Sequence, residues 1–164
     1  MEPTADRTIR IDLARQRLEL CDAETILQSY PVSTARNGPG EEHGSECTPR
    51  GAHAIEQKIG DGAPPGSVFV AREPTGEICD PALFEANPAR DWILTRILWL
   101  GGLEAGRNLG ANVDTRSRHI YIHGCPETVG VGSPSSHGCI RMRNADVIDL
   151  FEQVDVGTRV EIEE

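Results

Sequence analysis

The sequence predicts a mainly β domain closed by one C-terminal helix, and three observations carry that prediction. Apolar and polar residues alternate at period 2 in several short, separate segments. Glycine and proline are abundant, 17 and 11 of 164 residues, so turns are frequent and long helices are disfavoured. A helical spacing of apolar residues emerges near the C-terminus.

The elements follow in order. "RTIRIDLARQRLELCD" alternates on both sides of "ARQ", with Ile9, Ile11 and Leu13 on one face and Leu18 and Leu20 on the returning segment; this reads as a β-hairpin. "ETILQSYPVSTA" reads as a third strand. "RNGPGEEHGSE" is a polar, glycine-rich loop. "CTPRGAHAIEQKI" starts with a rigid Thr-Pro turn and alternates again. "SVFVAR" is one short strand between turns. "DWILTRILWL" is β-branched and aromatic enough for a buried strand, and "RHIYIHG" is another, with His123 at its end. Asn144 is placed to N-cap "ADVIDLFEQV", whose Val147, Ile148, Phe151 and Val154 share a helix face. Gly157 is placed to end the helix, and "TRVEI" closes as a strand.

At 164 residues the chain suits a single domain spanning 1–164. Hydrophobic residues make up 38%, enough for a packed core, and aromatics only 4%, so that core is aliphatic. A formal net charge of −10 argues against nucleic acid, which is held by clustered Lys and Arg. The first twenty residues lack a basic segment followed by an apolar run, and the best membrane candidate, "WILTRILWLGGL", is short and carries Arg96. The expectation is a cytoplasmic protein with no membrane partner if Met1 is the natural start, and a periplasmic one if that Met is artificial. The five cysteines, Cys21, Cys47, Cys79, Cys125 and Cys139, are scattered and lack a C-x-x-C pair, which fits a reducing compartment.

Chemistry concentrates in "HIYIHGCPETVGVGSPSSHGCIRM", residues 119–142, where His-Gly-Cys occurs twice, at 123–125 and 137–139. Zinc is one reading, since it takes Cys and His ligands. The spacing is against it: each His and Cys are separated by one glycine, and His119 and His123 on a strand stand about 13 Å apart. Nucleophilic catalysis is the other. Cys139 has His137 before it, Arg141 and Arg143 after it, and no acid between Ser133 and Arg143. That local positive charge, with a helix N-terminus ahead, should favour the thiolate. His137 shares the tight turn of Cys139, whereas His123 ends a strand and reaches Cys139 if the intervening loop folds back. Cys125, beside Pro126 and Glu127, has the weaker case.

"IHG" followed by "SHGCIRM" resembles the signature of the L,D-transpeptidase catalytic domain (YkuD) family. The opening hairpin, "YPVSTA", "TPRG" and "DVIDLFEQVDVGTRVEI" extend the resemblance along nearly the whole chain. It implies a β-sandwich-like domain of mixed sheets with a capping helix, and a cysteine enzyme acting on peptidoglycan stem peptides without metal or cofactor. Cys139 would be the nucleophile. His123 would move the proton, oriented by the Gly124 carbonyl in place of an acidic third member. Ser136, His137, Gly138 and Arg141, with Gly124, would shape the oxyanion pocket and hold substrate. The donor would be a muropeptide tetrapeptide ending in a diamino acid and D-Ala, and carbapenems would be covalent inhibitors. Papain-like and NlpC/P60-like peptidases place Cys before His, the reverse of the order here. Cys125 departs from the small polar residue usual in this family; a small buried residue is the favoured reading of it, and a reversible disulfide with Cys139 under oxidation is the other. Without an export signal, the expected activity is an L,D-carboxypeptidase of peptidoglycan recycling. A periplasmic L,D-transpeptidase, a non-catalytic peptidoglycan-binding module and a zinc hydrolase are the alternatives. The loops "RNGPGEEHGSE" and "GGLEAGRNLGANVDTRSR" are expected to line or cover the site.

Overall fold

The computed structural model describes residues 6–164. The reading of residues 1–20 as free of a leader therefore falls partly outside the described residues. Besides one short 3-10 turn (Ala111–Val113), the described residues form ten strands and two α-helices. They are β1 (Arg7–Asp12), β2 (Arg17–Asp22), β3 (Thr25–Pro31), β4 (Gly51–Ile59), β5 (Ser67–Val70), β6 (Glu73–Ile78), α1 (Pro81–Ala86), β7 (Ile93–Gly102), β8 (Tyr121–Gly124), β9 (Ile140–Met142), α2 (Asn144–Gln153) and β10 (Arg159–Glu163). The strands join one hydrogen-bonded network in the order β3-β2-β1-β10-β4-β7-β5-β6, with β8 branching from β7 and β9 pairing β8. The β1–β10 and β8–β9 pairs are parallel and the others antiparallel, so the sheet is mixed, as expected.

The β1–β2 hairpin forms where the alternation placed it, with Asp12 opposite Arg17. Its inward residues Ile9, Ile11, Leu18 and Leu20 join Ile122, Ile140, Val147, Leu150 and Val160 in an aliphatic core. Burying each such side chain contributes roughly 1.5–3 kcal/mol. α2 lays Val147, Leu150 and Phe151 against β7 and β8, while Ile148 is only half-buried.

Three local expectations are corrected. The stretch after "SVFVAR" is not only turns: β6 pairs β5, and the short helix α1 follows, capped by the Asp80 carboxylate, which accepts from Leu83 N at 2.7 Å. Asn144 is the first residue of α2 rather than its cap; the N-cap is Arg143, which makes no side-chain capping bond. α2 also ends before Gly157. The Lys58 ammonium donates to the Phe151 and Val154 carbonyls at 2.7 Å each, satisfying the helix C-terminus where a cation is favoured. Gly157, at φ +97°, serves the turn into β10 instead.

Strand period positions the site. Along β8, Ile122 joins Ile120 in the main core, so Tyr121 and His123 face the other way. Along β9, Ile140 and Met142 face the core, so Arg141 and the preceding Cys139 share the face of Tyr121 and His123. That face has its own small cluster, Phe69, Ile97 and Tyr121, with Cys139 packed against it.

Among the described residues no helix is long and apolar enough to cross a membrane.

Candidate active site

The parallel register pairs Ile122 with Ile140 and His123 with Arg141. Cys139 therefore falls opposite Tyr121, one diagonal step from His123 on the same face, roughly 8 Å between Cα atoms by strand spacing and rise. The Tyr121 amide donates to Cys139 Sγ at 3.3 Å, and the thiol donates to the His119 carbonyl at 3.3 Å. His119 sits at φ +57°, a left-handed conformation that an L-residue adopts only when its surroundings impose it.

His123 is 2% exposed. Its Nδ1 lies 2.6 Å from the Gly124 carbonyl. Since a carbonyl only accepts, Nδ1 carries the proton and Nε2 is left free as an acceptor. Gly124 also has to be glycine: a Cβ there would collide with the Asn144 side-chain oxygen and stand 2.8 Å from the Leu94 carbonyl.

Burial sets the resting charge state. It pushes the Cys139 thiol above the usual cysteine range, outweighing the Tyr121 amide, Arg141 and Arg118, which pull it down. Burial also pulls His123 below the usual histidine range, opposed by the Gly124 carbonyl bond and aided by Arg141. Both groups rest neutral. The expectation of a thiolate favoured by its local positive charge is thus corrected, because desolvation of a half-buried sulfur exceeds the pull of two partly solvated guanidiniums. The expected helix N-terminus is not at Cys139 either, since β9 intervenes before α2 begins at Asn144.

The turn that presents Cys139 is built from the other motif residues. The Ser136 hydroxyl donates to the Cys139 carbonyl at 2.6 Å and accepts from the Gly138 amide at 3.2 Å. Gly138 sits at φ +131°, where a Cβ would press on the Cys47 carbonyl and on Ile120, each 3.2 Å away. Thr48 donates to the Gly138 carbonyl at 2.9 Å. Ser136 and Gly138 are committed to positioning, whereas the Cys139 amide makes no hydrogen bond among the described residues and is the donor free for an oxyanion. His137 is exposed on the turn. Arg141, half-buried, spends one nitrogen on the Ser135 carbonyl at 3.3 Å. Replacing Ser136 by alanine is expected to lower stability by about 1–3 kcal/mol, because the Cys139 carbonyl loses its partner. Urea unfolding monitored by tryptophan fluorescence measures this.

Both loops expected at the site reach the turn that presents Cys139, but neither lines the hollow beside its thiol. The 101–118 loop delivers Arg118, which donates to the Cys47 carbonyl at 2.6 Å and the Glu41 carbonyl at 3.0 Å, tying the 36–46 loop beside the turn. Sequence reasoning missed Tyr121, Thr48, Arg118 and Asn144. The Asn144 amide donates to the Cys125 carbonyl at 3.0 Å and to Glu127 at 2.9 Å, and its oxygen accepts from Thr95 at 2.6 Å. It clamps the chain just past His123.

Cys125 cannot bridge Cys139. The register puts Cys125 one step past the Gly124–Met142 pair and Cys139 three residues before Met142, an offset of about 13 Å along the strands. A disulfide requires Cα atoms within about 7 Å. The Cys125 thiol instead donates to the Met142 carbonyl at 3.4 Å in a buried position. The disulfide expectation is therefore withdrawn, and Cys125 is a small buried residue. Among the described residues no three His, Cys, Asp or Glu side chains group as a metal site would need.

The family model YkuD, described as L,D-transpeptidase catalytic domain, matches residues 6–162. "Probable L,D-transpeptidase YbiS" of Escherichia coli (strain K12) is 55% identical over 44 residues, which is 27% of this chain and 14% of that protein. The L,D-transpeptidase structure from Xylanimonas cellulosilytica (its residues 123–326) superposes with a TM-score of 0.56 at 18% identity, covering 99% of this chain and 63% of that one. L,D-transpeptidase 3 from Mycobacterium tuberculosis, in complex with a faropenem-derived adduct, superposes with a TM-score of 0.59 at 15% identity, covering 97% and 60%. The matched stretch is thus a small part of the curated relative, and this chain spans about three fifths of the solved ones.

Proposed function

The chain belongs to the L,D-transpeptidase catalytic domain family, and from that premise we propose that it is a cysteine acyl-transfer enzyme of peptidoglycan, cleaving the bond between the diamino acid and D-Ala of a tetrapeptide stem. One observation carries this reading: Cys139 and His123 share a face, with His123 Nδ1 fixed on the Gly124 carbonyl and Nε2 free. As Sγ attacks the diamino acid carbonyl, His123 Nε2 takes the thiol proton. The developing oxyanion meets the Cys139 amide. The imidazolium then protonates the departing D-Ala nitrogen, leaving a thioester. A binding module would need neither an oriented imidazole nor a thiol beside it.

With water as acceptor, the product is the tripeptide and the enzyme is an L,D-carboxypeptidase of peptidoglycan recycling; no second binding site is required. Transpeptidation is the second reading. A separate hollow of about 220 Å³ is lined by His43, Glu46, Arg118, Ile120 and His137, and is large enough for an acceptor amine. Incubation with a disaccharide tetrapeptide and a separate amine decides. Tripeptide alone means hydrolysis, and a joined product means transpeptidation. No turnover of any donor defeats the enzyme reading. Because a solved relative carries a faropenem-derived adduct, a β-lactam is also proposed to acylate Cys139 here, which intact-protein mass spectrometry reads directly.

A further inference from the structure

A hollow of about 200 Å³ opens beside Cys139. Phe69, Ile93 and Ile97 are the apolar part of its lining, Tyr121 flanks the thiol, and the two charged residues that line it are Arg72 and Asp91. That volume suits one side chain rather than a whole peptide.

Neither charge is neutralised by the protein. Arg72 lies 5.0 Å from the Trp99 ring centre and donates to the Tyr121 hydroxyl at 3.3 Å, with no carboxylate partner. Asp91 is exposed and makes no hydrogen bond or ion pair among the described residues. Arg116, on the same Trp99 ring at 3.6 Å, shows the alternative: it is paired with Glu56 at 3.2 Å.

The backbone under Arg72 is a second observation. Ala71 and Arg72 form the two-residue turn between β5 and β6, at φ +48° and +66°. Two successive left-handed residues make a turn that normally selects Asn-Gly. Alanine and arginine there hold a strained conformation that aims a guanidinium at the hollow, and such strain concentrates at functional positions.

We propose that this hollow is a subsite for an α-amino-acid zwitterion, Arg72 taking the carboxylate and Asp91 the ammonium, occupied by the side-chain end of the donor's diamino acid. This rests on the proposed function, because Cys139 must attack the carbonyl of that residue. It selects a diamino acid ending in both groups, as in 2,6-diaminopimelic acid, over one ending in an ammonium alone, as in lysine. An arginine fork recognises a carboxylate by paired hydrogen bonds, so removing either side is costly.

The test compares kcat/KM for three tetrapeptide donors: diaminopimelate, diaminopimelate amidated on its side-chain carboxylate, and lysine. The expected wild-type preference for the first is about ten- to a hundredfold. Arg72→Gln should collapse that ratio toward one, and Arg72→Lys should restore part of it. Asp91→Asn should weaken all three donors through KM. Thermal unfolding midpoints confirm that each variant folds. Product inhibition by D-alanine distinguishes the other source of the same chemistry. If Arg72→Gln weakens D-alanine inhibition and leaves donor preference intact, the zwitterion subsite stands but holds the departing residue. If the wild type turns over all donors equally and neither readout moves, this proposal is overturned while the proposed function survives. If no donor is turned over, both fall.

Discussion

Cys139→Ala is expected to lower release of D-Ala from a tetrapeptide donor by at least about a thousandfold, and to abolish covalent labelling by a β-lactam, while Cys125→Ala retains most activity. Removing the attacking atom of an acyl-transfer enzyme costs factors of this size or more, because the covalent route is lost entirely. The two cysteines occupy near-identical local sequences, yet the fold separates their chemistry. Cys139 is partly exposed, lines a hollow and sits on the face of His123. Cys125 is 3% exposed, and its thiol is held by the Met142 carbonyl at 3.4 Å. Burial pushes the Cys125 thiol up to about 11, so it too rests protonated, but with no hollow beside it. Intact-protein mass after incubation with a β-lactam, run beside the kinetic assay, measures both variants. Loss of activity in Cys125→Ala with retention in Cys139→Ala would falsify the assignment.

The parts of this fold that were legible in sequence are those where burial is one-sided. β1 and β2 each bury one face against the core, and period-2 alternation follows directly. β6 was missed because nearly all of its residues are exposed, so nothing forces alternation on "EPTGEI". β9 is three residues long, too short for any period to show. α1 has no fully buried residue; it is set by its Asp80 cap and Pro81 at its first position, with only Leu83 and Phe84 packing against Val68, Trp92 and Leu94, too little apolar surface for a helical period to show. Asn144 looked like a cap because capping propensity is local, but its side chain is drawn into a buried three-way clamp between Thr95, Cys125 and Glu127. At the site, the motif gave the thiol and imidazole because both lie in one segment. Tyr121 acts through its backbone amide, and Thr48 and Arg118 through side-chain bonds to backbone carbonyls far off in sequence, which leave no local signature. The charge state of Cys139 failed for a related reason. Counting nearby arginines measures local charge, whereas burial is a property of the folded chain.

His123→Gln is expected to lower kcat/KM by about a hundred- to ten-thousandfold at neutral pH, the span general-base catalysis contributes, and to change the shape of its pH profile. The wild type reacts from a neutral thiol and a neutral imidazole. Burial lowers the His123 pKa, so the base stays unprotonated well into the acid range, and activity should hold its plateau below pH 6.5 before falling. Burial raises the Cys139 pKa, so free thiolate appears only above the usual cysteine range. The sign of each shift thus widens the neutral plateau, opposite to a thiolate–imidazolium pair, whose plateau would reflect a low thiol pKa. Without His123 the only remaining route is a preformed thiolate. Log kcat/KM of His123→Gln should then rise by about one per pH unit from pH 6 to 9 instead of staying flat. Alkylation of wild-type Cys139 by iodoacetamide should climb over the same range, since that reaction also needs the thiolate. A variant whose profile stays flat would show that His123 is not the base, and a wild-type thiol that alkylates equally fast at pH 6 and pH 9 would show that the pair rests as thiolate and imidazolium.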